Sequence, residues 1–134
     1  MSVTDPLLTA ATAARNKAVA PYSHFKVGAA VECLDGSIIS GCNVESASYG
    51  LTMCAERVAL FKAVSEGVRL FNRLAVVTDA PTLIAPCGAC RQVIWELAGD
   101  IEVVMRTLSG EAATVRMSEL LPYPFESGQL PQKG

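Results

Sequence analysis

Long apolar runs are missing from this chain of 134 residues, and so is any concentration of positive charge. No stretch approaches the roughly 18 consecutive apolar residues that a membrane-spanning helix requires. The basic residues are scattered and the formal net charge is −2, which argues against a surface that follows a polynucleotide backbone. These absences favour a small, uncharged partner over a nucleic acid or a membrane.

Charge of either sign is also scarce. Charged residues make up 18% of the chain, fewer than in an average soluble protein, whereas 51% of the residues are apolar. This composition predicts extra buried surface, which contacts between subunits would supply. The first residues, Met1 to Pro6, lack the basic start and apolar core of a secretory signal. We therefore expect a cytoplasmic protein whose residues 1–134 form a single domain.

Histidine is nearly absent, and the cysteines are odd in number. The chain has one histidine, His24, and five cysteines, and without an export signal it is a poor candidate for a disulfide framework. Some of the thiols are therefore expected to bind a metal or to take part in catalysis. Cys33 and Cys42 lie in predicted strands, where a small buried side chain is the simpler interpretation.

Periodicity and turn residues predict an alternation of helices and strands. Helices are predicted over 5–19, 54–66 and 87–98, with a short helical turn over 117–121. Strands are predicted over 25–33, 37–44, 73–78, 101–105 and 113–116, and Asp35-Gly36 marks a hairpin between the first two. This order predicts a three-layer α/β/α sandwich with a mixed sheet of about five strands. Compact right-handed crossovers would bring both cysteine-bearing helix starts to the same edge of the sheet.

The three remaining thiols fall at the starts of two predicted helices. Cys54 begins one helix, and Cys87 and Cys90 stand three residues apart at the start of the other, so that both sulfurs can point at one ion. Helix N-termini carry partial positive charge and free N–H groups, which stabilise thiolates. Structural zinc sites usually take four protein ligands, whereas catalytic sites keep one position for water, and no fourth ligand is obvious here. The pattern predicts a catalytic site with one Zn²⁺ per subunit.

Glu56 follows Cys54 by two residues and is the expected proton carrier beside the metal. Zinc with three thiolates has a formal charge of about −1, which a positive side chain must offset. Arg57 is the leading candidate to hydrogen-bond the sulfurs and Arg91 the second, although both could instead be surface charges. A Cys-x-Glu followed by Pro-Cys-x-x-Cys is the all-cysteine form of the signature of zinc-dependent base deaminases.

Two alternatives use the same cysteines differently. Cys87 and Cys90 could be a redox dithiol in a non-enzymatic or redox thiol protein, and then Cys54 and Glu56 would have no role. A structural zinc site would need His24 as its fourth ligand. The position of His24 between a helix and a strand favours local packing or hydrogen bonding instead.

Four motifs, in order along the chain, carry a resemblance that extends over nearly its whole length. They are Pro21-Tyr22-Ser23-His24-Phe25-Lys26-Val27-Gly28-Ala29-Ala30, Gly41-Cys42-Asn43-Val44-Glu45, Cys54-Ala55-Glu56-Arg57 and Pro86-Cys87-Gly88-Ala89-Cys90-Arg91-Gln92. On these motifs the chain resembles cytidine deaminases of the small, homotetrameric, zinc-dependent class. The resemblance implies hydrolytic deamination of free cytidine and deoxycytidine to uridine and deoxyuridine with release of ammonia, a step of pyrimidine salvage.

The resemblance also implies roles for side chains within one subunit. Glu56 would protonate N3 of the base and then assist the departing amine. Phe25 would pack against the pyrimidine, and the Ala55 N–H would hold the base carbonyl. Asn43 and Glu45 would bind the ribose hydroxyls, which suits an amide and a carboxylate.

Two further aromatic residues are implied to act between subunits. Tyr49 and Phe125 match the positions that complete the site of a neighbouring subunit in the homotetramer, although simple packing of the tail accounts equally well for Phe125. Deaminases of the nucleoside antibiotic blasticidin S share the metal motifs. Deamination of such a modified cytosine nucleoside is therefore the alternative among enzymes.

Overall fold

A five-stranded sheet forms the centre of the fold in a computed structural model that describes residues 5–126. The strands are β1 (Val27–Cys33), β2 (Ile38–Cys42), β3 (Phe71–Thr78), β4 (Glu102–Thr107) and β5 (Ala112–Arg116), in the spatial order β2-β1-β3-β4-β5. β3 and β4 pair in parallel, and every other neighbouring pair is antiparallel. The prediction of a mixed sheet of about five strands is confirmed.

Helices cover both faces of this sheet. They are α1 (Pro6–Arg15), α2 (Ala55–Ser65), α3 (Gly88–Ala98) and α4 (Met117–Leu120), with a short 3₁₀ turn at Tyr49–Leu51. The helix α1 packs on one face, and the other three lie on the opposite face. Within residues 5–126, no helix combines the length and apolar character needed to cross a bilayer. The layers are those of the predicted α/β/α sandwich.

The central strand β3 contributes to both layers of the core. Side chains alternate across a strand, so Val77 of β3 packs with Leu7 of α1, whereas Leu74 of the same strand packs with Leu60 of α2 and Ile94 of α3. All five side chains are fully buried. This two-sided burial explains the continuous apolar run in the sequence of β3.

The first helix is shorter than predicted. Asp5 caps it as expected, accepting a hydrogen bond from the Leu7 N–H at 3.0 Å. The helix ends at Arg15 rather than near residue 19, because Val19 pairs with Val44 in an isolated parallel bridge. Pairing with a distant segment thus overrides the local helical periodicity.

Two glycines of the β1–β2 hairpin let helices approach the sheet closely. A Cβ on Gly28 would lie 1.9 Å from the carbonyl oxygen of Ala11, and a Cβ on Gly41 would lie 2.6 Å from the amide nitrogen of Ala59. Neither position has room for a side chain, so α1 and α2 contact the hairpin through their backbones. The contact at Gly41 seats the helix that begins after Cys54.

Replacing Gly28 with alanine should lower the free energy of unfolding by about 3 kcal/mol or more, because the added methyl group fits only if α1 is displaced. Urea unfolding followed by far-ultraviolet circular dichroism would measure the change. Gly50→Ala is the matched control, since a Cβ on Gly50 meets nothing within 4 Å. Equal midpoints for the two variants would show that α1 is not held this closely.

Candidate metal centre and active site

Three thiols meet where α2 and α3 begin. Cys54 and Cys87 are the N-cap residues of the two helices, and Cys90 lies in the first turn of α3. The three Sγ atoms lie within 4.8 Å of one another. The fold therefore brings together the three predicted ligands, although Cys54 and Cys87 are 33 residues apart in the chain.

The spacing of the sulfurs fits a tetrahedral zinc ion. With Zn–S bonds of about 2.3 Å, two tetrahedral ligands stand roughly 3.8 Å apart, and the Sγ atoms of Cys54 and Cys87 are separated by 3.8 Å. This separation is too long for a disulfide, and all five cysteines are free. Within residues 5–126, these thiols form the one grouping of three potential metal-ligating side chains, and His24 is not part of it. A four-ligand structural site is thus not supported, and three ligands suit a catalytic metal.

A guanidinium lies against the thiol cluster. Nη2 of Arg57 donates to Sγ of Cys54 at 3.3 Å. Hydrogen bonds from the Cys90 thiol and from Arg57 lower the pKa of Cys54 to about 5, whereas the bond to Cys54 and burial raise the pKa of Cys90. The metal-free cluster therefore holds a thiolate beside a thiol, and a bound metal would replace the remaining protons.

Arg91 binds two backbone carbonyls rather than a sulfur. Its Nε donates to the carbonyl of Pro86 at 2.7 Å, and its Nη1 donates to the carbonyl of Leu120 at 2.9 Å. Its side chain therefore joins the loop before Cys87 to the end of α4. Of the two arginines predicted to offset the thiolate charge, the structure places only Arg57 on a sulfur.

Glu56 lies in the first turn of α2 and is 5% exposed. Burial, with a smaller contribution from the negative charge of Cys54, raises the pKa of Glu56 to about 7. A carboxyl group that titrates near neutral pH can both accept and donate a proton. Glu56 lines the same cavity as Cys54 and Cys87, so the predicted proton carrier and two predicted ligands face one space.

A cavity of about 270 Å³ opens over this cluster. A largely apolar cleft with a few polar groups is typical of a small-molecule site. Four of the predicted substrate-binding residues line it, and these are Phe25, Asn43, Glu45 and Ala55. The remaining wall residues are Val27, Thr52, Met53, Val76, Thr78, Ile84 and Ala85.

The loops of the chain hold Asn43 and Glu45 in fixed orientations. Asn43 donates from Nδ2 to the Phe25 carbonyl at 2.8 Å and accepts at Oδ1 from the Val27 N–H at 2.9 Å. The Glu45 carboxylate accepts hydrogen bonds from the Ser23 hydroxyl and from two backbone N–H groups, which hold its pKa below the usual range. An amide and a carboxylate still have further hydrogen-bonding capacity, and both residues line the cavity.

Tyr49 and Phe125 do not belong to the walls of this cavity. Tyr49 is 74% exposed, and its ring packs edge-to-face on Tyr22 with the centroids 5.9 Å apart. Phe125 is half exposed, and its backbone is hydrogen-bonded to Gln92 of α3. Both rings present apolar surface to the exterior of the subunit. Their predicted contribution to a neighbouring site stays a prediction.

The sequence did not identify the seven remaining wall residues, which include Thr52, Thr78 and Ile84. Thr78 is the last residue of β3. The crevice at the carboxyl ends of strands is where open α/β sheets bind ligands, so its position could have indicated it. Thr52 and Ile84 lie in loops, where the sequence has no periodicity from which the direction of a side chain could be predicted.

The chain is similar to known proteins over most of its length. Residues 1–107 match the family described as the cytidine and deoxycytidylate deaminase zinc-binding region. The chain is 52% identical over 120 residues to a cytidine deaminase of Halalkalibacterium halodurans, which covers 89% of this chain and 91% of that protein.

Solved structures give the same result. The 1.6 Å crystal structure of cytidine deaminase from Burkholderia pseudomallei is similar with a TM-score of 0.86 and 52% identity, covering 89% of this chain and 96% of that one. A blasticidin-S deaminase of Bacillus cereus is more distant, at 31% identity over 107 residues, or 74% of this chain and 76% of that protein. With its three thiols spaced for zinc, the chain belongs to the cytidine and deoxycytidylate deaminase family.

Proposed function

We propose that this protein is a zinc-dependent enzyme that hydrolyses free cytidine and deoxycytidine to uridine and deoxyuridine and releases ammonia. The observation that carries the proposal is a cluster of three thiols, two of which line a single cavity together with the buried carboxyl group of Glu56. The most similar relatives described above are cytidine deaminases. We take the same reaction to be that of this chain.

The proposed chemistry assigns a proton-transfer role to Glu56. Cys54, Cys87 and Cys90 would hold zinc, which when bound supplies the Lewis acidity that makes water a nucleophile near neutral pH. The Glu56 carboxylate would accept a proton from the attacking water and deliver it to N3 of the base. The same group would then pass the second proton of that water to the departing amine, so that one water is consumed for each ammonia released. A pKa of about 7 suits both transfers.

Different residues of the cavity wall suit the base and the sugar of the substrate. Phe25 and the apolar wall suit the flat face of a pyrimidine. The Ala55 N–H is among the first N–H groups of α2, which have no partner within the helix, and it suits the base carbonyl. Asn43 and Glu45, already oriented by backbone groups, suit the ribose hydroxyls.

Charge around the cavity favours a nucleoside over a nucleotide. The family description covers deaminases of both kinds. Among the described residues that line the cavity, the ionisable side chains are the two thiols and the carboxyl groups of Glu45 and Glu56, without an arginine or lysine. A 5′-phosphate is usually bound by basic side chains or by helix N–H groups. An unphosphorylated sugar therefore fits this site better.

The alternatives have less support. The blasticidin-S deaminase is the more distant relative, which makes a modified cytosine nucleoside the second choice of substrate. A redox role for Cys87 and Cys90 would leave the thiol of Cys54, which lies 3.8 Å from that of Cys87, unexplained. It would equally leave the buried Glu56 without a role.

We further propose a homotetramer located in the cytoplasm and acting in pyrimidine salvage. Large apolar side chains near the cavity support association, since Tyr49, Leu51 and Ile84 are 74%, 73% and 44% exposed in the single subunit. Exposed apolar groups that lie together are typical of interfaces. The cellular location and the role in salvage follow from the sequence prediction and from the proposed substrate.

The test is the loss of cytidine's ultraviolet absorbance after purified protein is added, with and without a zinc chelator. We expect turnover that the chelator abolishes and added zinc restores, because the metal is held only by the three thiols and can be withdrawn. Cytidine 5′-monophosphate should be a much poorer substrate than cytidine.

Two results would contradict the proposal. Turnover that persists after complete removal of zinc would exclude the metal from the reaction. Zinc-loaded protein that leaves cytidine intact but deaminates blasticidin S would replace the substrate while keeping the chemistry.

A further inference from the structure

Gln92 binds both polar backbone groups of a single residue near the end of the described chain. Its Nε2 donates to the Phe125 carbonyl at 2.6 Å, and its Oε1 accepts from the Phe125 N–H at 3.2 Å. A side-chain amide offers the same donor and acceptor as a backbone amide. The pair therefore resembles a hydrogen-bonded pair of residues in an antiparallel ladder.

Glu96 favours the same orientation of this carboxamide as Phe125 does. Its Oε1 accepts a hydrogen bond from Nε2 of Gln92 at 2.8 Å, one turn further along α3. An ionised carboxylate only accepts hydrogen bonds, so it selects the orientation in which Nε2 faces it. The second N–H of Nε2 then points at the Phe125 carbonyl, and Oε1 is left for the Phe125 N–H.

Arg91 attaches the other end of the same segment. It donates to the Leu120 carbonyl at 2.9 Å and to the Pro86 carbonyl at 2.7 Å. The two residues that follow Cys90 therefore bind the chain at 120 and at 125, and one of them also binds the residue that precedes Cys87. The metal-binding turn and residues 120–125 form one hydrogen-bonded unit.

Side-chain packing holds the far end of this segment only weakly. Tyr123 is 96% exposed and Phe125 is 51% exposed. Neither belongs to the hydrophobic clusters of the described core. The two hydrogen bonds from Gln92 are therefore well placed to fix the backbone that carries the Phe125 ring.

We propose that Gln92 is a positioning residue, which fixes the backbone of Phe125 and so orients the ring that is predicted to complete the site of a neighbouring subunit. This inference rests on the proposed cytidine deaminase activity and on the proposed homotetramer. Gln92 lies on α3, two residues after the predicted ligand Cys90. A change at Gln92 is therefore expected to act on substrate binding through Phe125.

The experiment compares Gln92→Met, Phe125→Ala and the double variant. Methionine has a similar length and cannot bind either backbone group. We expect Gln92→Met to raise KM for cytidine roughly tenfold with a smaller change in kcat, and the double variant to be no worse than Phe125→Ala alone, because residues that act as one unit are non-additive. Hydrogen exchange at the Phe125 amide should become faster in Gln92→Met.

Glu96→Ala is the graded control, since it removes the orienting acceptor but leaves both bonds to Phe125. It should change KM less than Gln92→Met does. Zinc content and the unfolding temperature, measured on every variant, identify any that fails to fold. Additive effects of the two substitutions, or an unchanged KM in a folded Gln92→Met with faster exchange, would overturn the inference. A wild-type protein that does not deaminate cytidine would instead overturn the proposed function on which it rests.

Discussion

Glu56→Gln is expected to bind zinc and to fold normally while losing about 10²–10⁴-fold in kcat for cytidine. Glutamine fills the same space but can neither take a proton from water nor give one to the base. Burial disfavours the charged form of Glu56, as its raised pKa indicates, so a neutral amide should not lower the unfolding temperature. Steady-state kinetics and zinc analysis on the same preparation would measure both effects.

Glu66→Gln provides the matched control for this substitution. Glu66 is exposed at the opposite end of α2, where a neutral amide should leave activity unchanged. If Glu56→Gln kept near-normal turnover with full zinc, another group would have to transfer the proton. The buried carboxyl group would then need a different explanation.

Cys87→Ala is expected to lose bound zinc and, with it, stability. Metal that binds only the folded state at 1,000 times its Kd stabilises that state by about 4 kcal/mol. For a chain of this size, the loss corresponds to roughly 10 °C in unfolding temperature. Differential scanning calorimetry should show the variant unfolding near the temperature of chelator-treated wild-type protein, and chelator should not lower it further.

Cys42→Ala is the matched control for the loss of a thiol. Cys42 ends β2 and does not belong to the thiol cluster. That variant should keep one zinc per subunit and its response to chelator. Stoichiometric zinc in Cys87→Ala would show that Cys87 is not a ligand and would leave only two thiols of the predicted set.

The sequence was sufficient to predict the sheet, its layers and the meeting of the three thiols. The spacing of Cys54, Glu56, Cys87 and Cys90 relative to two helix starts carried the prediction. The helices are marked locally by a change of periodicity and by Gly67 and Gly99 at their ends. Thiolate ligands are also stabilised at such positions by the partial positive charge of the helix N-terminus. Signals of this kind depend only on residues that are close in the chain, so they can be recognised without knowledge of the tertiary structure.

Contacts between remote segments could not be predicted in the same way. The pairing of Val19 with Val44 shortens the first helix, and the residues around Val19 contain no sequence signal that predicts this pairing. Arg91 was a plausible partner for a thiolate by its position next to Cys90, but the carbonyls of Pro86 and Leu120 lie within its reach. Such choices between partners depend on the assembled structure.

The predicted ligands and proton carrier are attached to a different kind of structure from the predicted sugar contacts. Cys54, Glu56 and Cys90 lie at the starts of two helices packed on the sheet, whereas Asn43 and Glu45 lie in the stretch between β2 and α2. Substitutions in that stretch can therefore change which sugar is bound without moving the metal ligands or Glu56. For a protein engineer, exchanging residues 45–52 is the route to altered nucleoside selectivity, and the helix starts are the part to leave untouched.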